Sequence, residues 1–157
     1  MDGFDPFAAS FWLSNGIVVC CAGLVGLERQ IRGKPVGVRT SILICLSTSI
    51  FVQLGAGFSG GQADPARVLG QIVTGVGFLG AGVILARGGV VTGVTTAAVI
   101  WMLAAIGATI GLGLFTAAVA FAMLTIAVLI GVDVLESSFR RLRSGAYADD
   151  DGPHSEQ

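Results

Sequence analysis

Charge is what this sequence has least of. Asp, Glu, Lys and Arg make up 12% of its 157 residues while 54% are hydrophobic, a balance that points away from an ordinary soluble domain. The uncharged intervals are long: nineteen residues between Arg67 and Arg87, and forty-five from Gly88 to Val132. Histidine occurs once, as His154 in an acidic tail, which excludes a zinc site or a His-based triad. Cysteine occurs three times, with Cys20 and Cys21 adjacent and Cys45 in another apolar run. They read as buried thiols rather than a disulfide framework. No block of either charge sign is long enough to suggest nucleic acid. No nucleophile–base pair and no metal-ligand cluster is visible, so the sequence assigns no catalytic residue, cofactor or metal site and points away from an enzyme.

What is present is organised around the stretch from Asp64 to Arg87. Its uncharged interior, as an α-helix, would be about 28 Å long, close to the roughly 30 Å hydrocarbon core of a bilayer. Asp64 is placed to cap it and Pro65 fits its first turn. Gly75, Gly77, Gly80 and Gly82 would weaken such a helix in water by about 1 kcal/mol each, but in a membrane they let neighbouring backbones approach. This predicts the central packing helix of a small membrane protein. The same stretch contains Gly75-Val76-Gly77-Phe78-Leu79-Gly80, a match to the dinucleotide fingerprint. That motif needs a preceding strand and an acidic residue about 20 positions on. Neither is present, since no acidic residue lies between Asp64 and Asp133, and the match is rejected.

The remaining uncharged runs complete the pattern. They predict an all-α integral membrane protein, a bundle of about five transmembrane helices at about 8–27, 40–55, 65–86, 93–110 and 114–135. The transmembrane domain covers 1–139, and 140–157 forms a basic flank and an acidic, disordered tail. The segment 28–39 carries Arg29, Arg32, Lys34 and Arg39 against Glu28, and such a short basic loop faces the cytoplasm by the positive-inside rule. Arg87 and the group Arg140, Arg141 and Arg143 agree with it. The N-terminus is then outside and the C-terminus inside. Trp12 is expected to anchor the first helix at an interface.

Polar groups within or beside the membrane are few, so each carries information. Arg67, Gln71 and Thr74 share one helical face, either for bonding between helices or as the rim of a polar cavity. Asp64 is either a helix cap or a cation contact. Glu28 is expected to pair with Arg29, Arg32 or a basic group on another helix. Thr95 and Thr96 read as caps of the fourth helix, and Asn15 and Gln53 as amides bonding between helices. Asp133 and Glu136 are placed to pair with Arg140 or with the first loop. Trp101 reads as packing or as an anchor.

Three blocks, GLERQIRGKPVGVRT (26–40), DPARVLGQIVTGVGFLGAGVIL (64–85) and GGVVTGVTTAAVIWMLAAIG (88–107), closely resemble the membrane domain of the MgtC/SapB family. The family pattern falls on Glu28, Arg29, Gln30, Gly33, Arg39, Thr40, Asp64, Pro65, Arg67, Gln71, Gly75, Gly77, Gly80, Gly82, Gly93, Thr95, Thr96 and Trp101. The resemblance implies a multi-pass protein of the bacterial inner (plasma) membrane. It also implies a part in adaptation to low magnesium, acid or intracellular stress, including virulence. The implied action is modulation of another membrane protein such as the ATP synthase. The expected partners are the lipid bilayer, another membrane protein or a second copy of the chain, with a linkage to Mg²⁺ and none to nucleic acid. The alternative is a small Mg²⁺ or cation transporter or channel component. The form expected is a short one, without the ACT-like soluble domain that follows the last helix in the best-known branch.

Overall fold

The computed structural model describes residues 5–57 and 65–138. Five helices run in chain order, α1 (Ala9–Ile31), α2 (Val38–Gly57), α3 (Pro65–Gly82), α4 (Val94–Gly111) and α5 (Phe115–Ser138), with β1 (Leu85–Arg87) and β2 (Val90–Thr92) between α3 and α4. The chain forms two compact units, Met1–Ile126 and Ala127–Gln157. In the second unit the described residues are the C-terminal part of α5. The expected five-helix, all-α architecture is present. α1, α2, α4 and α5 are each long and apolar enough to cross a membrane, while the apolar part of α3, Ala66–Gly82, is shorter. The tail 140–157 and the cap position Asp64 lie outside the described residues, as do the side chains of Asp133 and Glu136.

The uncharged runs set the helices, and their ends depart from expectation in instructive ways. α1 continues one turn past Leu27 to Ile31, so Glu28 and Arg29 project from helix rather than loop. α3 stops at Gly82 rather than near residue 86. Its last turn closes with short bonds, Val83 N–H to the Gly80 carbonyl and Ile84 N–H to that of Ala81. The chain then enters an antiparallel hairpin pairing Leu85 with Thr92 and Arg87 with Val90. Gly88 and Gly89 take φ of 56° and 84° at its turn, the pair of left-handed residues that a two-residue hairpin loop requires. The β-branched residues around that turn favour strand once it forms. Gly93, which follows, has φ of 90°, and a Cβ there would collide with the Val83 carbonyl.

The core of the first unit is centred on α4, not on α3. Half of the α4 span is buried, against 28% for α1 and α2. Leu103, Ile106 and Ile110 of α4 are fully enclosed, as are Val18 and Val25 of α1 and Cys45 of α2. The closest helix approaches lie here. A Cβ on Gly107 would strike the Cys45 carbonyl, one on Gly111 would meet the Ser49 carbonyl at 2.8 Å, and one on Gly26 would meet Val38 Cα at 2.7 Å. The α3 glycines, expected as packing positions, divide into two groups. Gly75 and Gly82 have no neighbour within 4 Å of an added Cβ, while Gly77 and Gly80 face the Trp101 ring at 3.8 and 3.5 Å, ordinary contact distances. A glycine permits close approach, but the partner helix decides whether it happens. α3 packs on α4 through Val76 against Ile100 and Ala104, with Val36, Ile44, Ile72 and Val83 around them.

Buried hydroxyls and amides are satisfied mainly inside their own helices. Thr48 donates to the Ile44 carbonyl at 2.8 Å and Thr125 to that of Phe121 at 2.7 Å. Asn15 donates to the Phe11 carbonyl and Gln53 to Ser49 Oγ, so among the described residues these amides bond within their own helices rather than between helices. Back-bonding of this kind lets polar residues sit in apolar spans. Trp12 is exposed, as an interface anchor should be, and its indole N–H holds the Pro6 carbonyl at 2.9 Å.

Candidate functional site

Among the described residues, charged side chains gather at one end of the bundle. The last turn of α1 places Glu28, Arg29 and Arg32 beside the loop to α2 and the first turn of α4. Arg29 is only 4% exposed. Its Nη2 donates to Thr96 Oγ1 at 2.9 Å, and its Nε donates to the Pro35 carbonyl at 3.4 Å. Among the described residues it forms no ion pair. A buried guanidinium must hydrogen-bond or it is strongly destabilising, and this one ties α1, the loop and α4 together. Thr96 is therefore no cap. Gly93 is the N-cap of α4 and the helix has no side-chain cap bond; Thr95 is exposed.

The loop is held in several places. Lys34 N–H bonds the Arg29 carbonyl at 2.9 Å. Gln30 Oε1 accepts from Val38 N–H at 3.3 Å, and Ser41 Oγ donates to the Val36 carbonyl at 3.4 Å. Val36 has φ of +63°, a conformation that costs a β-branched residue roughly 1–2 kcal/mol. Its side chain packs on the Val76–Ile100–Ala104 cluster, which offsets that strain. The loop is thus a built part of the bundle, keyed into α3 and α4.

Glu28 completes the site. Of the pairings open to it, the structure forms the one with Arg32, one helical turn on: Glu28 Oε1 lies 2.7 Å from Arg32 Nε, with side-chain exposures of 8% and 28%. The other oxygen, Oε2, is buried and has no hydrogen-bond partner among the described residues. A buried acceptor left in that state costs about 1–3 kcal/mol.

A second feature lies between α2 and α3. A cavity of about 470 Å³ is lined by Ile44, Ser47, Thr48 and Phe51 from α2 and by Val68, Gln71, Ile72, Gly75, Val76 and Leu79 from α3. Of Arg67, Gln71 and Thr74, Gln71 lines this cavity. Thr74 is exposed and its hydroxyl bonds the Gly70 carbonyl at 2.9 Å. Arg67 is exposed in the first turn of α3. The singled-out residues thus divide in two. Glu28, Arg29 and Thr96 meet at one end of α1 and α4, while Gln71 and Gly75 line the cavity. Arg39 is exposed at the start of α2 and takes part in neither. The Pro35 carbonyl and Val36 were not foreseen, because backbone acceptors and strain leave no mark in composition. The Glu28–Arg32 spacing was the one legible signal. No group of three or more His, Cys, Asp or Glu suited to a metal occurs among the described residues.

The model of the "MgtC family" matches residues 16–138. The chain is 40% identical over 128 residues to the Escherichia coli (strain K12) protein named "Putative magnesium transporter YhiD", covering 77% of this chain and 60% of that one. It is 41% identical over 127 residues to "Protein MgtC" of Brucella abortus (strain 2308), covering 80% of this chain and 53% of that one. The chain thus spans little more than half the length of these relatives. No solved structure gives a significant match.

Proposed function

The chain belongs to the MgtC family, and from that premise we propose that it is a non-enzymatic regulator in the bacterial inner membrane. It acts on another membrane protein, of which the ATP synthase is the example the family resemblance offers, in adaptation to low magnesium, acid or intracellular stress. The observation that carries this reading is the state of Arg29. The buried charge of the family motif is engaged by Thr96 and Pro35, so it shapes the bundle and is not displayed to a substrate. What the bundle offers its surroundings is helix surface, the means by which one membrane protein recognises another.

The name of the relative YhiD keeps a transport reading in view. Mg²⁺ takes about six oxygen ligands, usually with one or two carboxylates. Every Asp, Glu, Lys and Arg of the five helices lies near a helix end, leaving the middle of the membrane without a charged ligand. That favours the regulator. The test is crosslinking in native membranes followed by identification of what co-purifies, with ion flux measured on the purified chain in liposomes. A discrete membrane protein captured by wild type and lost with Arg29→Ala supports the regulator. Magnesium flux with no captured partner overturns it.

A further inference from the structure

The hairpin β1–β2 joins α3 to α4 with very little charge. Across residues 85–92 Arg87 is the one charged residue. The loop 28–39, brought to the same end of the bundle by the Arg29–Thr96 bond, carries Glu28, Arg29, Arg32, Lys34 and Arg39. Strand pairing puts Leu85 with Thr92, and Arg87 with Val90, at one face of the ribbon. Ala86 and Val91 fall at the other, since successive residues of a strand alternate between faces. Both faces are open. Leu85 is 55% exposed, Val90 and Val91 52% each, and Ala86 is exposed as well. The two strands meet each other and lie largely clear of the helices.

Such a ribbon is ill suited to water. An isolated two-stranded hairpin is marginal there at best, and apolar strand edges without lysine or proline invite pairing with other chains. β1 and β2 contain neither residue. The adjoining surface shows what covers them. In chain order, the exposed apolar side chains Phe78 and Leu79 of α3 lead through Ile84 to Leu85, Val90 and Val91. α4, which the hairpin feeds, is long and apolar enough to cross a membrane. The hairpin surface is thus continuous with surface that lipid covers. α3 rises only about 27 Å against a roughly 30 Å core, so its end at Gly82 reaches the edge of the hydrocarbon and no further. The outer strand edges set the depth. Unpaired N–H and C=O groups are not tolerated in hydrocarbon, whereas water and headgroups satisfy them in the interfacial layer.

We propose that the β1–β2 hairpin is seated in the interfacial layer of the bilayer, with Leu85 and Val91 among the upper parts of the acyl chains. It is a membrane-embedded turn rather than a loop in water. Its partner is the bilayer itself, with no selection of headgroup charge. A docked protein would have to cover both faces of the ribbon at once, whereas lipid surrounds it without needing a complementary shape.

The test is spin-label accessibility in the full chain, held at one copy per phosphatidylcholine nanodisc. Labels are placed singly through Leu85→Cys, Val91→Cys, Lys34→Cys and Phe78→Cys, in a background carrying Cys20→Ala, Cys21→Ala and Cys45→Ala. Oxygen concentrates in lipid and a neutral nickel chelate in water, so the ratio of their collision rates with the label reads its surroundings. Lys34 is exposed in the loop 28–39 and Phe78 on α3, which gives a water and a lipid reference. At Leu85 and Val91 the ratio should exceed that at Lys34 at least fivefold and stay below that at Phe78. A ratio matching Lys34 at either site overturns the seat, and one at or above Phe78 overturns the interfacial depth. With no second protein in the disc, exclusion of the chelate cannot come from a docked partner. If the cysteine replacements disturb helical content, the wild-type chain is photocrosslinked instead, to phosphatidylcholine carrying a diazirine near the headgroup end of one acyl chain. Adducts on the peptide 84–94 support the seat; their absence, beside adducts on α3 and α5, overturns it.

Discussion

At the scale of single residues, the end of the bundle holding Arg29 is where substitutions should separate most clearly. Removing one partner of a buried charged network costs more than removing both, because the remaining group is left unsatisfied. Thr96→Val strips Arg29 of its side-chain acceptor and should destabilise by about 1–3 kcal/mol. Arg29→Ala also removes the hold on the Pro35 carbonyl and should cost at least as much. The double variant should be less destabilised than the sum of the two, the sign of direct coupling, read from unfolding in detergent. Glu28→Gln should behave differently. It gives up a part-exposed pair with Arg32, worth no more than about 1 kcal/mol, and removes a buried anion whose Oε2 has no partner among the described residues. A change within about 1 kcal/mol of wild type, of either sign, is expected; a loss as large as that of Arg29→Ala would refute it. The sequence marks Glu28, Arg29 and Thr96 as unusual polar residues. It does not join Arg29 to Thr96, which stand 67 positions apart, because nothing local encodes a contact made by packing.

At the scale of elements, what is legible follows from what each signal measures. Uncharged length marks α1, α2, α4 and α5, since the cost of charge in a bilayer is a one-dimensional constraint. It cannot tell helix from a short hairpin inside an apolar run, so Leu85 to Thr92 reads as the end of one helix and the approach to the next. The Gly88-Gly89 pair is the available sign, since two consecutive glycines suit the left-handed turn of a two-residue hairpin. Glycine count misleads in the same way. α3 is rich in glycine and has no tight approach at Gly75 or Gly82, while Gly26 on α1 and Gly107 and Gly111 on α4 carry the close crossings with α2. Gly107→Ala should therefore destabilise by about 1–3 kcal/mol through overpacking against the Cys45 backbone. Gly75→Ala, free of contacts, should be neutral or slightly stabilising through its better helix propensity. Melting temperatures of the two variants in one detergent decide it; equal losses would show that α3 packs as tightly as α4.

At the scale of the whole molecule, the bond between Arg29 and Thr96 constrains how the chain threads the membrane. It brings the end of α1 and the start of α4 to the same end of the bundle. The chain between them must cross an even number of times. α2 crosses once, so the segment 65–92 must return, although α3 alone rises only about 27 Å at 1.5 Å per residue and falls just short of a roughly 30 Å core. The hairpin β1–β2 doubles back and brings Gly93 beside the Val83 carbonyl, so α4 starts where α3 ends and the return rests on α3 itself. By the positive-inside rule the basic residues of 28–39 predict that this end faces the cytoplasm, and one crossing each by α4 and α5 then predicts an N-terminus outside and a C-terminus inside. A reporter active only outside the cytoplasm should work when inserted in 58–63 and be silent when fused after Arg87 or after Arg143. Activity after Arg87 would mean that α3 does not return the chain. The Arg29–Thr96 bond would then be impossible in the membrane, and the arrangement of α1 against α4 would fall with it.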